Sequence, residues 1–403
     1  MQCGHKPARD IVMETRNSLP SFLLLGSAGR NSGKTTLACA IIHRFARQRD
    51  IVAVKITTVR GHAGNCPRGG QGCGVCSTLS DVFQITEEFD STAGKDTNRL
   101  LRAGAIRVFW LRVREGCLSA GIEELLKAIP PGAIVVAESN TARRVLEPGI
   151  FLMVRRAGSD SVKESAQAVM KMVDRQVLLQ DDDSFNFDIE KLSILNDRWI
   201  LRDASAAIMA GGKSRRMRRD KSLLTIHGKP LIHHIHDQLE PLFDEIVIST
   251  DSPNKYPFIA AREVVDEKPG LGPLMGIASI LRVAKNERVF VAACDIPEID
   301  FDFVQKLLTE SRHYDCVMPM TGPERFEPLF AVYNKRVLPH IDAILLSGER
   351  KILALTQRVP TRYIQMDAMV WYRNLNTYED YLDFSTGNVD PRDDSSEPRR
   401  RRV

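Results

Sequence analysis

Two stretches of this 403-residue chain gather the residue types that hold polyphosphates. The first reads Ala28-Gly29-Arg30-Asn31-Ser32-Gly33-Lys34-Thr35, with Thr36 behind it. Glycines let consecutive backbone N–H groups turn toward one anion, and a helix opening after them adds its positive end. In this pattern Lys34 reaches the outer phosphates and the Thr35 hydroxyl ligates Mg2+, while Gly29, Asn31, Ser32, Gly33 and Thr36 complete the cradle. Hydrolysis also needs a carboxylate for the metal. Glu138, directly after the apolar run Ile134 to Ala137, has the right placement; it reads equally well as a strand-end surface charge.

The second stretch runs Met209-Ala210-Gly211-Gly212-Lys213-Ser214-Arg215-Arg216-Met217, followed by Asp220-Lys221 and Gly228-Lys229-Pro230-Leu231. Small residues after a first strand allow backbone to approach a nucleotide, and Arg215 and Lys221 supply charge for a triphosphate. Nucleotidyl transfer expels pyrophosphate, and cations held there stabilise the charge developing on it. Downstream, Ala293-Cys294-Asp295-Ile296-Pro297 sets an aspartate at the end of an apolar run. Strand carboxyl ends are where such sheets bind ligands, which makes Asp295 the expected Mg2+ ligand; a turn residue before proline is the plainer reading.

A third group is His62, Cys66, Cys73 and Cys76 within the glycine-rich segment 62–77. The three thiols are compatible with zinc, with an iron–sulfur or redox role, and with ligand-free cysteines.

Positioning these residues requires strands that end where the loops begin. Phe22 to Leu25 and Ala206 to Met209 are such runs, and each is followed by alternating strand-like and helix-like segments. Strands are expected at Ile51 to Ile56, Ile106 to Leu111, Ile150 to Val154, Glu245 to Ser249, Val289 to Ala293, Cys316 to Met318 and Leu329 to Tyr333. Helices are expected over Thr35 to Gln48, Ala120 to Ile129, Ser161 to Val177, Leu231 to Glu240 and Met275 to Lys285. The pattern predicts an α/β protein with two mostly parallel sheets. The expected division is a flexible start over 1–20, a first domain over 21–177, a linker over 178–203, a second domain over 204–385 and a disordered tail over 386–403.

Composition agrees with two globular domains: 43% of residues are apolar and 27% charged. The net charge of +5 is slight for this length and suggests no nucleic-acid partner. No apolar run reaches the ~20 residues of a membrane span, and residues 1–20 lack a signal-peptide core. The expectation is a cytoplasmic protein without a membrane partner.

Both halves resemble known families. The ordered set Ala210-Gly211-Gly212, the arginines with Asp220-Lys221, Gly228-Lys229-Pro230-Leu231, Cys294-Asp295-x-Pro297, Pro269 to Gly276, Glu327 to Tyr333 and Asn374-Leu375-Asn376-Thr377 closely resembles molybdenum cofactor guanylyltransferase over about 204–384. The resemblance implies a Rossmann-like (GT-A-like) nucleotidyltransferase domain that uses GTP and Mg2+. It implies that Met209, Ala210, Gly211 and Gly212 line the guanine nucleotide, with Lys221 on the phosphates and Asp266 near the nucleoside. It also implies Asp295 on Mg2+, and Asn374 and Asn376 on the pterin; a capping turn before a helix at Tyr378 to Leu382 explains these asparagines equally well. Arg218 stands where the family carries glycine, and Ser249 where it carries a nucleoside-contacting asparagine.

In the first half, Val54-Lys55-Ile56-Thr57, Gly94-Lys95-Asp96 and Arg102-Ala103-Gly104-Ala105 resemble the phosphate-loop accessory protein of molybdopterin guanine dinucleotide biosynthesis. The family's histidine-rich stretch is replaced by Lys55-Ile56-Thr57-Thr58. The resemblance implies a P-loop NTPase-like sheet that binds GTP. The combined reading is a guanylyltransferase acting on molybdopterin or Mo-molybdopterin, fused to a GTP-binding accessory domain that the resemblance implies is a weak GTPase and a helper of the guanylyltransferase, with the molybdenum-insertion enzyme and apo-molybdoenzymes as candidate further partners. A CTP-dependent cytidylyltransferase, a sugar-phosphate nucleotidyltransferase and, for the first half, a non-catalytic adaptor are the competing readings.

Overall fold

The computed structural model describes residues 17–59, 79, 81–211, 220–366 and 372–386. Cys66, Cys73, Cys76, Gly212 and Arg215 lie outside the described residues, as do 1–16 and 387–403. The chain divides into two compact units, Met1–Leu201 and Arg202–Val403.

The first unit holds strands β1 (Asn17–Ser27), β2 (Ile51–Val59), β3 (Phe83–Glu87), β4 (Arg107–Arg114), β5 (Ile134–Glu138), β6 (Leu146–Arg156), β7 (Arg175–Leu179), β8 (Leu192–Leu195) and β9 (Arg198–Leu201). Its helices are α1 (Lys34–Phe45), α2 (Asp96–Arg102), α3 (Leu118–Ala128) and α4 (Glu164–Gln167). Seven strands form one sheet in the order β3-β4-β2-β5-β1-β6-β7. Only the edge strand β3 runs antiparallel to its neighbour. Successive residues of β1 serve opposite faces: Leu24 packs with α3 residues Ile122 and Leu125, whereas Leu23 and Leu25 pack with α1 residues Leu37 and Ile41. A sheet covered on both faces explains why its strands read as continuous apolar runs.

Three sequence expectations are corrected here. Residues 17–20, expected to be flexible, belong to β1, where Asn17 to Leu19 pair with Leu146 to Pro148. The pairing then shifts register, and a Cβ at Gly149 would stand 2.3 Å from the Pro20 carbonyl oxygen, so only glycine fits the close approach. Ser161 to Val177 is not one helix. After the short α4, Asp174 accepts the Phe151 N–H at 2.6 Å and the chain turns into β7, which buries Val177 beside Val154. Finally, 178–203 contains the β8–β9 hairpin. Trp199 is 2% exposed, meets Phe45 edge-to-face at 5.0 Å and donates its indole N–H to the Val135 carbonyl. Burying so large a side chain with its polar atom satisfied makes the hairpin part of the first unit's core.

The second unit contains β10 (Ser205–Met209), β11 (Thr225–Ile226), β12 (Lys229–Pro230), β13 (Ile246–Thr250), β14 (Arg262–Val265), β15 (Arg288–Ala293), β16 (Cys316–Gly322), β17 (Arg325–Phe326), β18 (Phe330–Asn334) and β19 (Thr361–Gln365). Its helices are α5 (Leu231–Leu239), α6 (Pro273–Val283), α7 (Phe301–Glu310), α8 (Leu338–Leu346), α9 (Leu353–Thr356) and α10 (Tyr378–Thr386). The main path is β14-β13-β10-β15-β18-β16-β17, with β19 paired to β16. β14, β13, β10 and β15 are mutually parallel, whereas β18 is antiparallel to β15 and β16. One face carries α6 and α8 through Leu274, Ile277, Ile341 and Ile344. On the other, Phe243, Phe290 and Phe330 form a ring chain with centroids 5.8 and 5.0 Å apart. No helix among the described residues is long and apolar enough to cross a membrane.

Candidate active site

In the second unit, β10 and its parallel neighbours deliver their carboxyl ends to one place. Met209 ends β10, and the next N–H, of Ala210, bonds to the Ser249 carbonyl of β13 at 2.9 Å. On the other flank the Cys294 N–H bonds to the Met209 carbonyl at 3.2 Å. These bonds fix the start of the glycine loop against the strands that carry Ser249 and Asp295. Gly276, near the start of α6, marks the convergence: a Cβ there would meet Met209 Cε at 2.7 Å, Ser249 Oγ at 3.2 Å and Asp266 Oδ1 at 3.3 Å. Burial pushes the Asp266 carboxyl above its ordinary value.

Lys221 opens a 3-10 turn that Asp220 caps by accepting the Ser222 N–H at 3.1 Å and its hydroxyl at 2.6 Å. The Lys221 ammonium stands 3.5 Å from Asp295 Oδ2, and both side chains reach solvent, at 16% and 28% exposure. A loop cation and a strand-end carboxylate are thus side by side, while the nearby Cys294 thiol is pushed up to about 12, chiefly by burial and then by the charges of Asp295 and Asp220. Such a thiol is neutral packing material, not a nucleophile.

The late segment also reaches Asp295. The Leu375 N–H donates to the Asp295 carbonyl at 2.8 Å, and the Asn374 side chain hydrogen-bonds the Tyr372 phenol. Asn376 and Thr377 give their N–H groups to Asp380 Oδ2 at 2.8 and 2.7 Å, and Asp380 N–H returns to the Thr377 hydroxyl at 3.1 Å. The capping turn is therefore real, and it occupies the Asn376 backbone, while Asn374 engages Tyr372. Two residues that no sequence signal singled out, Lys255 and Tyr372, complete the surroundings together with Glu327 of the Glu327 to Tyr333 stretch. The Tyr372 hydroxyl donates to Glu327 Oε2 at 2.7 Å, and the Thr321 hydroxyl to its Oε1 at 3.1 Å.

In the first unit, Gly33 adopts φ +83° just before α1, where a Cβ would strike Leu179 at 2.8 Å. Asn31 is also left-handed at φ +52°. Lys34 and Thr35 open the helix, and Thr36 accepts from Arg99 at 3.2 Å. Glu138 pairs in register with Leu25 of β1 and Lys55 of β2, which puts it at the sheet's carboxyl edge beneath the loop. It is no surface charge: it is 1% exposed, and neither carboxylate oxygen has a hydrogen-bond partner among the described residues. The Lys34 ammonium is 3.7 Å from it, beyond hydrogen-bond length. Lys55 pairs instead with Asp96; burial alone raises that carboxyl, but Lys55 outweighs it and holds it below its ordinary value. A cleft of about 960 Å3 runs over Asn31, Lys34, Thr35, Asp96 and Arg99.

Among the described residues no cluster of three or more His, Cys, Asp or Glu forms a metal centre. Cys66, Cys73 and Cys76, read as zinc or iron–sulfur ligands, lie outside the described residues. The Thr35 hydroxyl and the carboxylates of Glu138 and Asp295 are oxygen donors of the kind that Mg2+ takes.

A parallel strand that runs into Ala210-Gly211, with Lys221 and Asp295 3.5 Å apart, is the arrangement expected of a nucleotidyltransferase. Residues 206–361 match the MobA-like NTP transferase domain family. The chain is 31% identical over 188 residues to a probable molybdenum cofactor guanylyltransferase of Carboxydothermus hydrogenoformans, covering 45% of this chain and 94% of that protein. It is 32% identical over 186 residues to the molybdenum cofactor guanylyltransferase of Vibrio parahaemolyticus, again over 45% of this chain and 94% of the other. This chain belongs to the molybdenum cofactor guanylyltransferase family. Among solved structures, molybdopterin-guanine dinucleotide biosynthesis protein A from Archaeoglobus fulgidus aligns at 24% identity over 45% of this chain and 97% of that one, with a TM-score of 0.41.

Proposed function

We propose that the second unit transfers GMP from GTP to the terminal phosphate of molybdopterin, yielding molybdopterin guanine dinucleotide and pyrophosphate. The observation that carries this reading is the Lys221–Asp295 pair at the carboxyl ends of β10 and β15, beside the Met209-Ala210-Gly211 turn. Mg2+ is commonly held by one or two carboxylates plus substrate phosphates, and the partly exposed Asp295 carboxylate suits that role. When bound, Mg2+ supplies Lewis acidity and orients the phosphates.

The protein's own residues do the rest. Met209, Ala210, Gly211, Ser249 and Asp266 hold the nucleoside, with the desolvated Asp266 carboxylate as hydrogen-bond acceptor. Gly212 joins them in the nucleotide loop, and Lys221 with Arg215 neutralises charge that grows on the departing pyrophosphate. Asn374 and Asn376 place the pterin substrate beside Asp295. A phosphate monoester needs no general base near neutral pH, so catalysis is positioning plus charge neutralisation.

The first unit is proposed as a P-loop GTP-binding accessory domain, in which residues 29–36 hold the phosphates and Thr35 and Glu138 hold Mg2+. The buried Glu138 carboxylate supports this: it accepts no hydrogen bond among the described residues and has the Lys34 ammonium at 3.7 Å, so a bound cation would satisfy lone pairs that burial leaves costly. Delivery of cofactor to the molybdenum-insertion enzyme or to apo-molybdoenzymes is its proposed use.

The deciding experiment incubates the full chain with molybdopterin, Mg2+ and either GTP or CTP, and detects dinucleotide and pyrophosphate. GTP-dependent product that survives Lys34→Ala and disappears in Asp295→Ala is expected. Turnover with CTP alone would overturn the guanylyl reading.

A further inference from the structure

Asp220, the residue immediately before Lys221, is held from three sides. Its Oδ1 takes the Ser222 N–H and hydroxyl, and its Oδ2 lies 2.8 Å from the Lys255 ammonium. Lys255 is only 15% exposed and is itself fixed. Its ammonium reaches Asp251 Oδ1 at 3.0 Å, its backbone N–H donates to Glu263 Oε2 at 2.9 Å, and the Tyr256 N–H donates to Glu263 Oε1 at 2.8 Å. The Tyr256 ring is buried, and its hydroxyl meets the Ser222 hydroxyl at 2.9 Å. The segment 255–256 therefore grips the 220–222 turn at both its carboxylate and its hydroxyl.

The grip has a direction. A lysine tied to two carboxylates has its charge already matched, so it is poorly suited to receive a triphosphate. Lys221 projects from the same turn toward Asp295. We infer that Lys255 is a positioning residue for Lys221: by clamping Asp220 it fixes the turn that aims the Lys221 ammonium at the phosphates. This rests on the reading of Lys221 as the triphosphate-binding lysine. Misplacing a reacting or charge-neutralising group by about 1 Å costs up to ~100-fold in rate. A methionine at position 255 keeps the apolar stem and removes the clamp.

The test uses the full chain with molybdopterin and Mg-GTP, measuring kcat and both KM values together with the melting temperature. Lys255→Met is expected to lower kcat/KM for GTP by about tenfold, leaving KM for molybdopterin unchanged. Lys255→Arg should restore most of the loss. Asp220→Asn, which breaks the clamp from the other end, should show the same split, and the double variant should be no worse than either single one. Asp251→Asn weakens the other ion pair of the Lys255 ammonium without touching the 220–222 turn and should cost less than Asp220→Asn. A Lys255→Met enzyme that melts earlier but keeps its kcat/KM for GTP would overturn the inference, as would equal losses in Asp251→Asn. If Lys255→Met does not fold, the Asp220→Asn kinetics decide the question by the same criterion. Lys221→Ala is measured in parallel: full activity there sinks the underlying reading, whereas an inactive Lys221→Ala beside an unaffected Lys255→Met sinks only the clamp.

Discussion

Lys221 Nζ stands 3.5 Å from Asp295 Oδ2, although the two residues belong to segments far apart in the chain. The first unit contains the same arrangement in a different design: Lys34 Nζ is 3.7 Å from Glu138 Oε2. In each case a lysine follows the glycine-bearing loop after a strand, and an acid lies at the end of a parallel neighbour of that strand. The environments differ. Asp295 reaches solvent, whereas Glu138 is buried. The two pairs should therefore respond differently to mutation.

For the exposed pair, the expected loss is in catalysis. On the proposed reading, Asp295→Ala removes the Mg2+ ligand and Lys221→Ala the cation facing the phosphates, and such groups are commonly worth about 100- to 1,000-fold in kcat. Neither side chain is fully buried, so circular dichroism and melting temperature should stay near those of the parent. Dinucleotide formation measured beside the melting curve separates lost chemistry from lost fold. A fully active Asp295→Ala would end its assignment to Mg2+.

For the buried pair, the acid is the liability. Glu138 has no hydrogen-bond partner among the described residues and only the partly exposed Lys34 ammonium at 3.7 Å, so Glu138→Gln removes a poorly compensated carboxylate from a nearly dry position and leaves a lysine that water can solvate. The variant is expected to melt higher than the parent in the absence of nucleotide. It should also lose the Mg2+ dependence of GTP binding at the first site. Titrating labelled GTP in a Lys221→Ala background, with and without Mg2+, isolates that site; unchanged Mg2+ dependence would remove Glu138 from it.

Asp266 gives a pH signature. Its carboxyl is raised by burial, so the folded state binds a proton more tightly than the unfolded chain does. Its favourable contribution is thus present below the ordinary carboxylate value and is lost as pH rises through the raised folded value. At neutral pH the ionised, desolvated carboxylate costs stability. Asp266→Asn should stabilise the protein at pH 7, and the gain should shrink as pH falls toward the carboxylate range. GTP use should drop in the same variant, because an amide does not reproduce a charged acceptor. Melting curves at several pH values check the first claim; a gain that grows on acidification contradicts it.

Much of this was legible in the residues. The runs Phe22 to Leu25 and Ala206 to Met209 announced first strands because both faces of each sheet are covered, and the glycine loops followed them directly. Strand direction was less visible: β18 is as apolar as β15, and nothing in its pattern shows that it runs antiparallel. The half-exposed β3 and β14 lack the apolar run that marks a central strand. Lys255 and Asp220 are distant in the chain, and their pairing follows from how the segment after β13 folds back on the 220–222 turn. The burial of Glu138 was equally hidden, because a strand-end acid has the same sequence signature whether it faces water or a closed loop.

If Asn374 holds the pterin as proposed, Tyr372 bears on the acceptor side of the reaction. Its ring meets Phe330 edge-on at 5.8 Å, its hydroxyl donates to Glu327, and the Asn374 side chain bonds to it. Burial and the Glu327 carboxylate push the phenol up, so it stays protonated and donating across the working range. The Leu375 N–H then ties the same segment to the Asp295 carbonyl. Tyr372→Phe keeps the ring contact and deletes both the hydrogen bond to the Glu327 carboxylate, worth about 1.5–3 kcal/mol where it is fully felt, and the bond with the Asn374 side chain. With Asn374 on the pterin, the loss should appear as a higher KM for molybdopterin, on the order of tenfold or more, with KM for GTP unchanged. Glu327→Gln keeps an acceptor and should be milder. A rise in the KM for GTP alone would place Tyr372 on the nucleotide side and separate it from the acceptor.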